Sequence, residues 1–518
     1  MDAIVVLDFG GQTAQLIGRR IRELGVYSEI LPGTTPAALL ADLPGLTVRG
    51  IVLSGSPASV HDADAPVPDP ALFDLPTPVL GICYGLQRMV SQRGGRVERS
   101  TSREYGRARL RYTGDHPLFR GVPEGFTSWM SHGDHVVAVP EGVRVVAESE
   151  HGIPAAIEFS ATQIGIQFHP EVTHCEHGNR ILENFVVGMA GCATDWSLED
   201  YADAAAAEIR KSVGTSPVLL LISGGVDSTV VAAILLRALD PSQVYLMYVN
   251  TGLMRKGETD EVGASLKRLG ARHLDLIDAE EEFLSALEGV DDPEKKREII
   301  GDLFIRVQSR EIAERIPGDY SLAQGTIYPD IIESGGGVGT YAHVIKSHHN
   351  VRSPLVAAKR EQGKLIEPLS RLYKDEVRRL GIILGVSRDV IARHPFPGPG
   401  LAVRILGAVT PEKCRILREA DALYIAELRD RGLYDKIWQA FCVLLPLRSV
   451  GVTGDTRHYG YVLALRAVNS TDAMTADVFP FAPDDLLAIS ARITNRIPEI
   501  GRVVYDVSSK PPATIEWE

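Results

Sequence analysis

Two clusters in this 518-residue chain combine residue types and spacings suited to covalent chemistry. The first is Ser223-Gly224-Gly225-Val226-Asp227-Ser228, directly behind the apolar run Val218-Leu219-Leu220-Leu221-Ile222. A buried strand that stops at two glycines and restarts as a helix leaves backbone N–H groups without partners, and such groups hold a phosphate. The kinase-type loop is excluded, because the Gly-x-x-x-x-Gly-Lys-[Ser/Thr] spacing and its lysine are missing. The second cluster is Gly81-Ile82-Cys83-Tyr84-Gly85, which sets Cys83 at a turn from strand into helix between two glycines. Small neighbours permit a strained elbow, and a helix N-terminus favours the thiolate. Gln167-Phe168-His169-Pro170-Glu171 completes it: His169 as general base to Cys83, and Glu171, two residues on along an extended chain, to orient the imidazole. A lone cysteine or histidine is ordinarily structural. The three in one α/β segment read as a nucleophilic triad.

The elements that must carry these residues are legible in the apolar pattern. Ala3–Leu7 reads as a buried strand, Leu16, Ile17, Ile21 and Leu24 repeat at helical spacing, and strands follow near Tyr27–Leu31 and Gly50–Ser54. This alternation predicts a parallel sheet with helices on both faces. Between Tyr105 and Phe168 short segments separated by Gly and Pro predict added antiparallel strands, closed by a helix over Gly178–Met189. Residues 190–195 lack periodicity and read as a linker, with Asp195 or Ser197 capping the alanine-rich helix behind it. From Val218 strand and helix alternate again, a second doubly wound unit whose ligands belong at the carboxyl ends of its strands. The loop His394-Pro395-Phe396-Pro397-Gly398-Pro399-Gly400 forbids helix. It opens an α+β unit with a helix over Pro411–Arg431, strands near Val450 and Tyr461–Ala467, and a helix near Asp484–Ile497. The predicted class is α/β, two doubly wound parallel-sheet domains followed by a smaller α+β dimerisation domain, with boundaries at 1–192, 193–394 and 395–518.

Composition restricts the function. An apolar share of 45% and a charged share of 23% are ordinary for a globular protein. A net charge of −13 argues against a nucleic-acid surface but not against a mononucleotide, which needs only a local pocket. The N-terminus carries Asp2 where a signal peptide carries base, and no apolar run suits a membrane span, so the expected location is the cytoplasm. Five cysteines with no close pair fit reduced thiols. His174-Cys175-Glu176-His177 lacks the second ligand cluster of a zinc site and reads as a polar loop.

Three resemblances sharpen the reading. The 223–228 loop resembles the pyrophosphatase loop of enzymes that cut ATP between its α and β phosphates. That likeness implies that Ser223, Gly224, Gly225, Val226, Asp227 and Ser228 bind ATP and that Asp227 holds a magnesium ion bridging phosphate oxygens. No Cys-x-x-Cys occurs, which counts against the sulfur-transferring relatives with the same loop. Residues 3–189 resemble the glutaminase domain of class I amidotransferases, in which the cysteine attacks the amide of glutamine, forms a thioester and releases ammonia. The likeness implies glutamine contacts at Gln87, Ser131, His132, Gly133 and Asp134, and oxyanion N–H groups at Ser56 and Tyr84. Ser56 stands where the family has a glycine, a substitution that costs energy if the site needs positive φ.

Across essentially the whole chain, the strings Ala323–Asp330, Lys346–Val351, Ile366–Leu369, His394–Gly400 and Lys510–Glu518 resemble the GMP synthetase family. This implies that xanthosine monophosphate is adenylylated at O2 of its base and that ammonia displaces AMP. It also implies magnesium or nucleotide binding at Asp330, substrate contacts at Arg297, Lys346, Lys510 and Glu516, and a homodimer formed by the last domain. Arg297 lies on a basic helix whose bland reading is a solvated face. Asn250 stands where the family commonly has an aspartate, and Val351-Arg352-Ser353-Pro354 replaces a Gly-Gly-Leu-Pro. The competing readings are another adenylating amidotransferase, such as one making NAD, and a nucleotide-binding regulator with an inactive glutaminase.

Overall fold

The computed structural model describes the chain except residues 12, 113–114, 317, 332–353, 454–455 and 471–474, and the side chains of 100–105, 132, 453 and 456. It divides into two compact units, Met1–Tyr201 with Pro329–Ser347, and Ala202–Tyr328 with His348–Glu518.

The first unit is built on a nine-stranded sheet. Its strands are β1 (Asp2–Asp8), β2 (Tyr27–Pro32), β3 (Thr47–Leu53), β4 (Val79–Ile82), β5 (Arg96–Tyr112), β6 (Thr127–Ala138), β7 (Arg144–Ser149), β8 (Pro154–Ser160) and β9 (Gln163–Ile166), in the order β2-β1-β3-β4-β9-β8-β7-β5-β6. β1 to β4 and β9 run parallel, while β5 to β8 pair antiparallel, as the shortened segments predict. Alternate residues of the parallel strands enter two different cores: Ile4, Val6, Val52, Leu80 and Ile82 on one face, and Val5, Leu7, Ile51, Leu53 and Val79 on the other. Burial on both faces is why these strands read as continuous apolar runs rather than as alternating ones. The helices that bear on the site are α1 (Ala14–Glu23) and α2 (Tyr84–Gln92). The closing helix spans Gly178–Glu183 and continues as a π-turn over Asn184–Met189. Ser197 caps the following helix, accepting the Asp200 N–H at 3.1 Å.

The second unit carries five parallel strands, β10 (Val218–Ile222), β11 (Val244–Asn250), β12 (His273–Asp278), β13 (Ser321–Ala323) and β14 (Leu365–Ile366), in the order β12-β11-β10-β13-β14. Its helices include α3 (Val226–Ala238), α4 (Pro293–Arg315) and α5 (Lys374–Ile383). Beyond the 394–400 loop come α6 (Pro411–Asp430), a long antiparallel hairpin of β15 (Gln439–Thr453) and β16 (Thr456–Asn469), the short β17 (Asp477–Val478), α7 (Pro483–Arg496) and β18 (Ile500–Tyr505). One apolar core runs from Leu219 and Met247 through Ile405 and Ala420 to Leu463 and Ile489. Burial of that continuous area joins the five-stranded parallel sheet to the α+β segment. The hairpin strands extend beyond the segments near Val450 and Tyr461–Ala467, and their distal half exposes Val450, Val452 and Tyr459.

Candidate active sites

The carboxyl ends of β1, β3, β4 and β9 converge on Cys83. Ile82 pairs with Ile166 across β4 and β9, so Cys83 and Gln167 leave adjacent parallel strands at the same level and His169 follows two residues on. Cys83 has φ 54° and ψ −102°, a strained conformation for a side-chain-bearing residue. The glycines around it allow the turn through close approach: a Cβ on Gly85 would lie 2.5 Å from the Leu53 carbonyl oxygen, and one on Gly81 2.6 Å from Met89 Sδ. α2 begins at the next residue, so the Tyr84 amide belongs to a first turn without intrahelical acceptors.

His169 Nδ1 lies 2.7 Å from Glu171 Oε1, with the two side chains 8% and 0% exposed. A carboxylate only accepts, so the proton sits on Nδ1 and Nε2 is left for the sulfur. Burial disfavours the imidazolium, but the Glu171 charge and hydrogen bonds to Cys83 and Glu171 outweigh it and hold His169 well above the usual histidine range. The imidazole beside the sulfur is thereby suited to hold a proton. The Glu171 carbonyl accepts from Arg20 Nε at 3.1 Å, which anchors the carboxylate from α1. Gly55 lies against the pair, its would-be Cβ 3.3 Å from His169 Cε1 and 3.9 Å from Cys83 Cβ.

Among the described residues only Cys83 and His177 combine a side chain with positive φ. Ser56 is therefore in an ordinary conformation, and its hydroxyl donates to the Phe9 carbonyl at 2.8 Å. The glycine-to-serine difference costs no backbone strain here. The Ser131 carbonyl lies 3.8 Å from Cys83 Sγ, and the Asp134 carboxylate accepts from Ser59 Oγ at 2.5 Å. Gln87 is buried, and its Nε2 donates to the Asp134 carbonyl at 2.9 Å. Gly133 lies between them on β6, and the His132 side chain is outside the described residues. His174 packs on Trp129, while Cys175 accepts from Ser128 Oγ and burial pushes its thiol up to about 11.

In the second unit β10 ends at Ile222 and α3 starts at Val226. Gly224 has φ +76°, and Gly225 is the residue preceding the helix. The Ser228 hydroxyl ties the turn shut, accepting the Ser223 N–H at 3.3 Å and donating to the Gly225 carbonyl at 3.1 Å. Gly325 backs onto the turn, where a Cβ would sit 3.2 Å from Asp227 Cβ. Asp227 Oδ2 accepts from Lys374 Nζ at 2.5 Å, while its Oδ1 is buried with no hydrogen-bond partner. A hard oxygen ligand without a donor fits a divalent cation of the magnesium type. Arg393 donates to the Gly224 carbonyl and pairs with Glu258 and Glu261. Asn250 Nδ2 donates to Asp278 Oδ1 at 3.1 Å. Asp330, which is grouped with the first unit, stands in a short helix, Tyr328–Ile331. Lys346 and the 351–353 departure lie outside the described residues.

The basic helix α4 is not simply a solvated face. Arg297 is partly exposed beside Glu294, but Lys296 is 0% exposed and donates to the Ala402 and Ile405 carbonyls at 3.2 and 2.8 Å and to Glu518 Oε2 at 2.5 Å. The terminal segment is held by two further buried cations. Arg404 takes both Glu516 oxygens, at 3.1 and 2.8 Å, while stacking on Phe441, and Gln439 adds a bond to Glu516 at 2.8 Å. Arg466 donates to the Ser508, Thr514 and Ile515 carbonyls. Lys510 pairs with Ala476 through both backbone bonds. Lys374, Lys296, Arg404 and Arg466 escaped the sequence reading, since their partners are remote in the chain.

Comparison with known proteins covers the chain in three pieces. Residues 5–189 match the family model for glutamine amidotransferase class-I, 203–293 that for asparagine synthase, and 426–517 that for the GMP synthase C terminal domain. A curated GMP synthase [glutamine-hydrolyzing] of Symbiobacterium thermophilum is 51% identical over 519 residues, covering 100% of this chain and 99% of that protein. The proteins of the same name from Chlorobium chlorochromatii and Aquifex aeolicus are 50% and 49% identical, covering 100% and 99% of this chain and 100% and 99% of their own lengths.

Proposed function

This chain belongs to the glutamine-hydrolysing GMP synthases, and from that membership we propose how its residues divide the work. The reaction is the glutamine-dependent amination of xanthosine monophosphate to GMP, with ATP as the activating substrate. The relatives match end to end, so the reading as another adenylating amidotransferase is not favoured.

In the glutaminase, taken as residues 1–192, the Cys83 thiolate attacks the amide carbon of glutamine. The oxyanion is held by the Ser56 and Tyr84 amides, and His169, steered by Glu171, gives its proton to the departing ammonia. Water then adds under the same base, the S–C bond breaks and glutamate leaves. Gln87, Ser131, His132, Gly133 and Asp134 border the glutamine. The observation that carries this half is the buried Cys83–His169–Glu171 alignment.

In the adenylating part, taken as residues 193–394, the Ser223–Ser228 turn and Lys374 receive the pyrophosphate end of ATP, Asp227 would hold magnesium, and Asp330 would bind magnesium or the nucleotide. Bound there, magnesium supplies charge neutralisation between phosphate oxygens. An amide-like C2 carbonyl is a poor electrophile, and adenylylation turns its oxygen into a leaving group. Arg297, Lys346 and Lys510 contact the xanthine nucleotide, Lys510 at its phosphate, and Glu516 contacts its base or ribose. The segment 395–518 forms a homodimer, a reading supported by the exposed Val450, Val452 and Tyr459 of the β15–β16 hairpin. The described residues include no helix long and apolar enough to cross a membrane, and the proposed location is the cytoplasm.

Two experiments test the division. Cys83→Ala is expected to abolish glutamine-dependent activity and keep ammonia-dependent activity; joint loss, or no change, refutes it. Labelled ATP is expected to yield AMP and pyrophosphate, whereas ADP and phosphate would end the adenylylation reading.

A further inference from the structure

Besides His169 and the Ser131 carbonyl oxygen at 3.8 Å, the Cys83 sulfur has a further polar neighbour, and this one carries N–H groups. Gln167 is 0% exposed, and its Nε2 lies 3.6 Å from Cys83 Sγ. A chain of bonds fixes the direction of this contact. Gln87 Nε2 lies 2.9 Å from the Asp134 carbonyl oxygen, an atom that only accepts, so that end of the Gln87 amide is its NH₂ group. The same NH₂ lies 3.4 Å from the Gln167 amide. Two NH₂ groups make no bond, so Gln167 turns its oxygen to Gln87 and its own NH₂ to the sulfur. Hydrogen-bond polarity therefore runs from a backbone carbonyl through two buried amides and ends as an N–H pointed at Sγ.

We propose that Gln167 is a catalytic residue of the glutaminase, an N–H donor that stabilises the Cys83 thiolate, with Gln87 and the Asp134 carbonyl as the positioning groups that aim it. The inference rests on Cys83 being the nucleophile, as proposed above. A thiolate accepts an N–H bond more strongly than a thioester sulfur does. The donor thus acts whenever the sulfur carries charge, above all when water adds to the thioester, the S–C bond breaks and its electron pair returns to sulfur. Attack loses a little nucleophilicity but gains thiolate fraction, and because nucleophilicity depends only partly on basicity, the balance favours catalysis near neutral pH. Gln87 spends its NH₂ inside this chain, which leaves only its carbonyl end for glutamine.

The test uses the full-length enzyme and two variants, Gln167→Met, which removes the donor at similar volume, and Gln167→Glu, which sets a carboxylate in its place. The readouts are the pH profile of iodoacetamide inactivation and the split between kcat and KM for glutamine. Gln167→Met is expected to move the inactivation midpoint up by about one pH unit and lower kcat at neutral pH by about tenfold with little change in KM, and Gln167→Glu to move the midpoint further in the same direction. Gln87→Met is expected to give a smaller upward shift. An unchanged midpoint in Gln167→Met overturns the proposal. Should that variant lose its near-UV circular dichroism, an unchanged midpoint in the near-isosteric Gln167→Glu overturns it instead. A Cys83→Ala enzyme that still hydrolyses glutamine would remove the nucleophile assignment, a failure separate from that of Gln167.

Discussion

The buried ammonium of Lys296 gives a prediction whose size follows from its surroundings. Nζ is inaccessible, serves two backbone carbonyls and meets the carboxylate of the last residue, Glu518. Removing one member of a buried ion pair ordinarily costs about 3–5 kcal/mol, because the other charge is stranded. In Lys296→Met the Glu518 carboxylate loses its cation and the Ala402 and Ile405 carbonyls lose their donor at about 1–3 kcal/mol each, so the expected cost is near 3–5 kcal/mol. Glu518→Gln keeps an acceptor oxygen and replaces a charge-assisted bond by a neutral one, a loss of about 1 kcal/mol. Deleting residues 516–518 strands both Lys296 and Arg404, each 0% exposed. At the same rate that is about 6–10 kcal/mol, comparable with the whole stability of a domain. Urea unfolding followed by circular dichroism should place the midpoint of this unit's transition lowest for the deletion, next for Lys296→Met and nearest the parent for Glu518→Gln. A deletion variant unfolding at the parent's midpoint would refute the argument and make the terminal segment an ornament of the fold.

Glu171→Gln removes the charge that raises His169, so the imidazolium is lost at lower pH, glutamine-dependent kcat falls by about tenfold or more, and iodoacetamide inactivation of Cys83 moves to higher pH; an unchanged pH profile would contradict the triad. His394 is pushed down to about 4 by burial, against the Tyr434 carbonyl that favours its proton. Its Nδ1 accepts the Ala440 N–H and its Nε2 donates to Tyr434, so the ring is locked neutral. A depressed histidine contributes stability that is present above its unfolded value of about 6.5 and is lost as pH falls toward 4, here about 3 kcal/mol, which His394→Gln should largely abolish in urea titrations at the two pH values. Gly85→Ala drives a Cβ to 2.5 Å from the Leu53 carbonyl oxygen; thermal melting of the first unit should drop, with a loss of about 1–3 kcal/mol and of glutaminase activity.

Sequence alone determined the features that depend on neighbours in the chain. The apolar runs ending at Ile82 and Ile222, each with glycine at the turn and a helix behind it, specify two strand-turn-helix elbows, because backbone freedom and strand burial are local properties. The spacing of His169 and Glu171 likewise put imidazole and carboxylate within reach. Tertiary structure decided what those groups meet. Cys83 finds Gln167 and His169 only because β4 and β9 become parallel neighbours in one register, although 84 positions separate Cys83 from Gln167. Asp227 meets Lys374 across 147 positions, and Lys296 meets Glu518 across 222. A lysine inside Glu294-Lys295-Lys296-Arg297 reads as a solvated charge, since nothing near it in sequence signals burial. Its burial is tolerated only once the fold brings a carboxylate and two carbonyls around it, a long-range polar match that no local periodicity encodes.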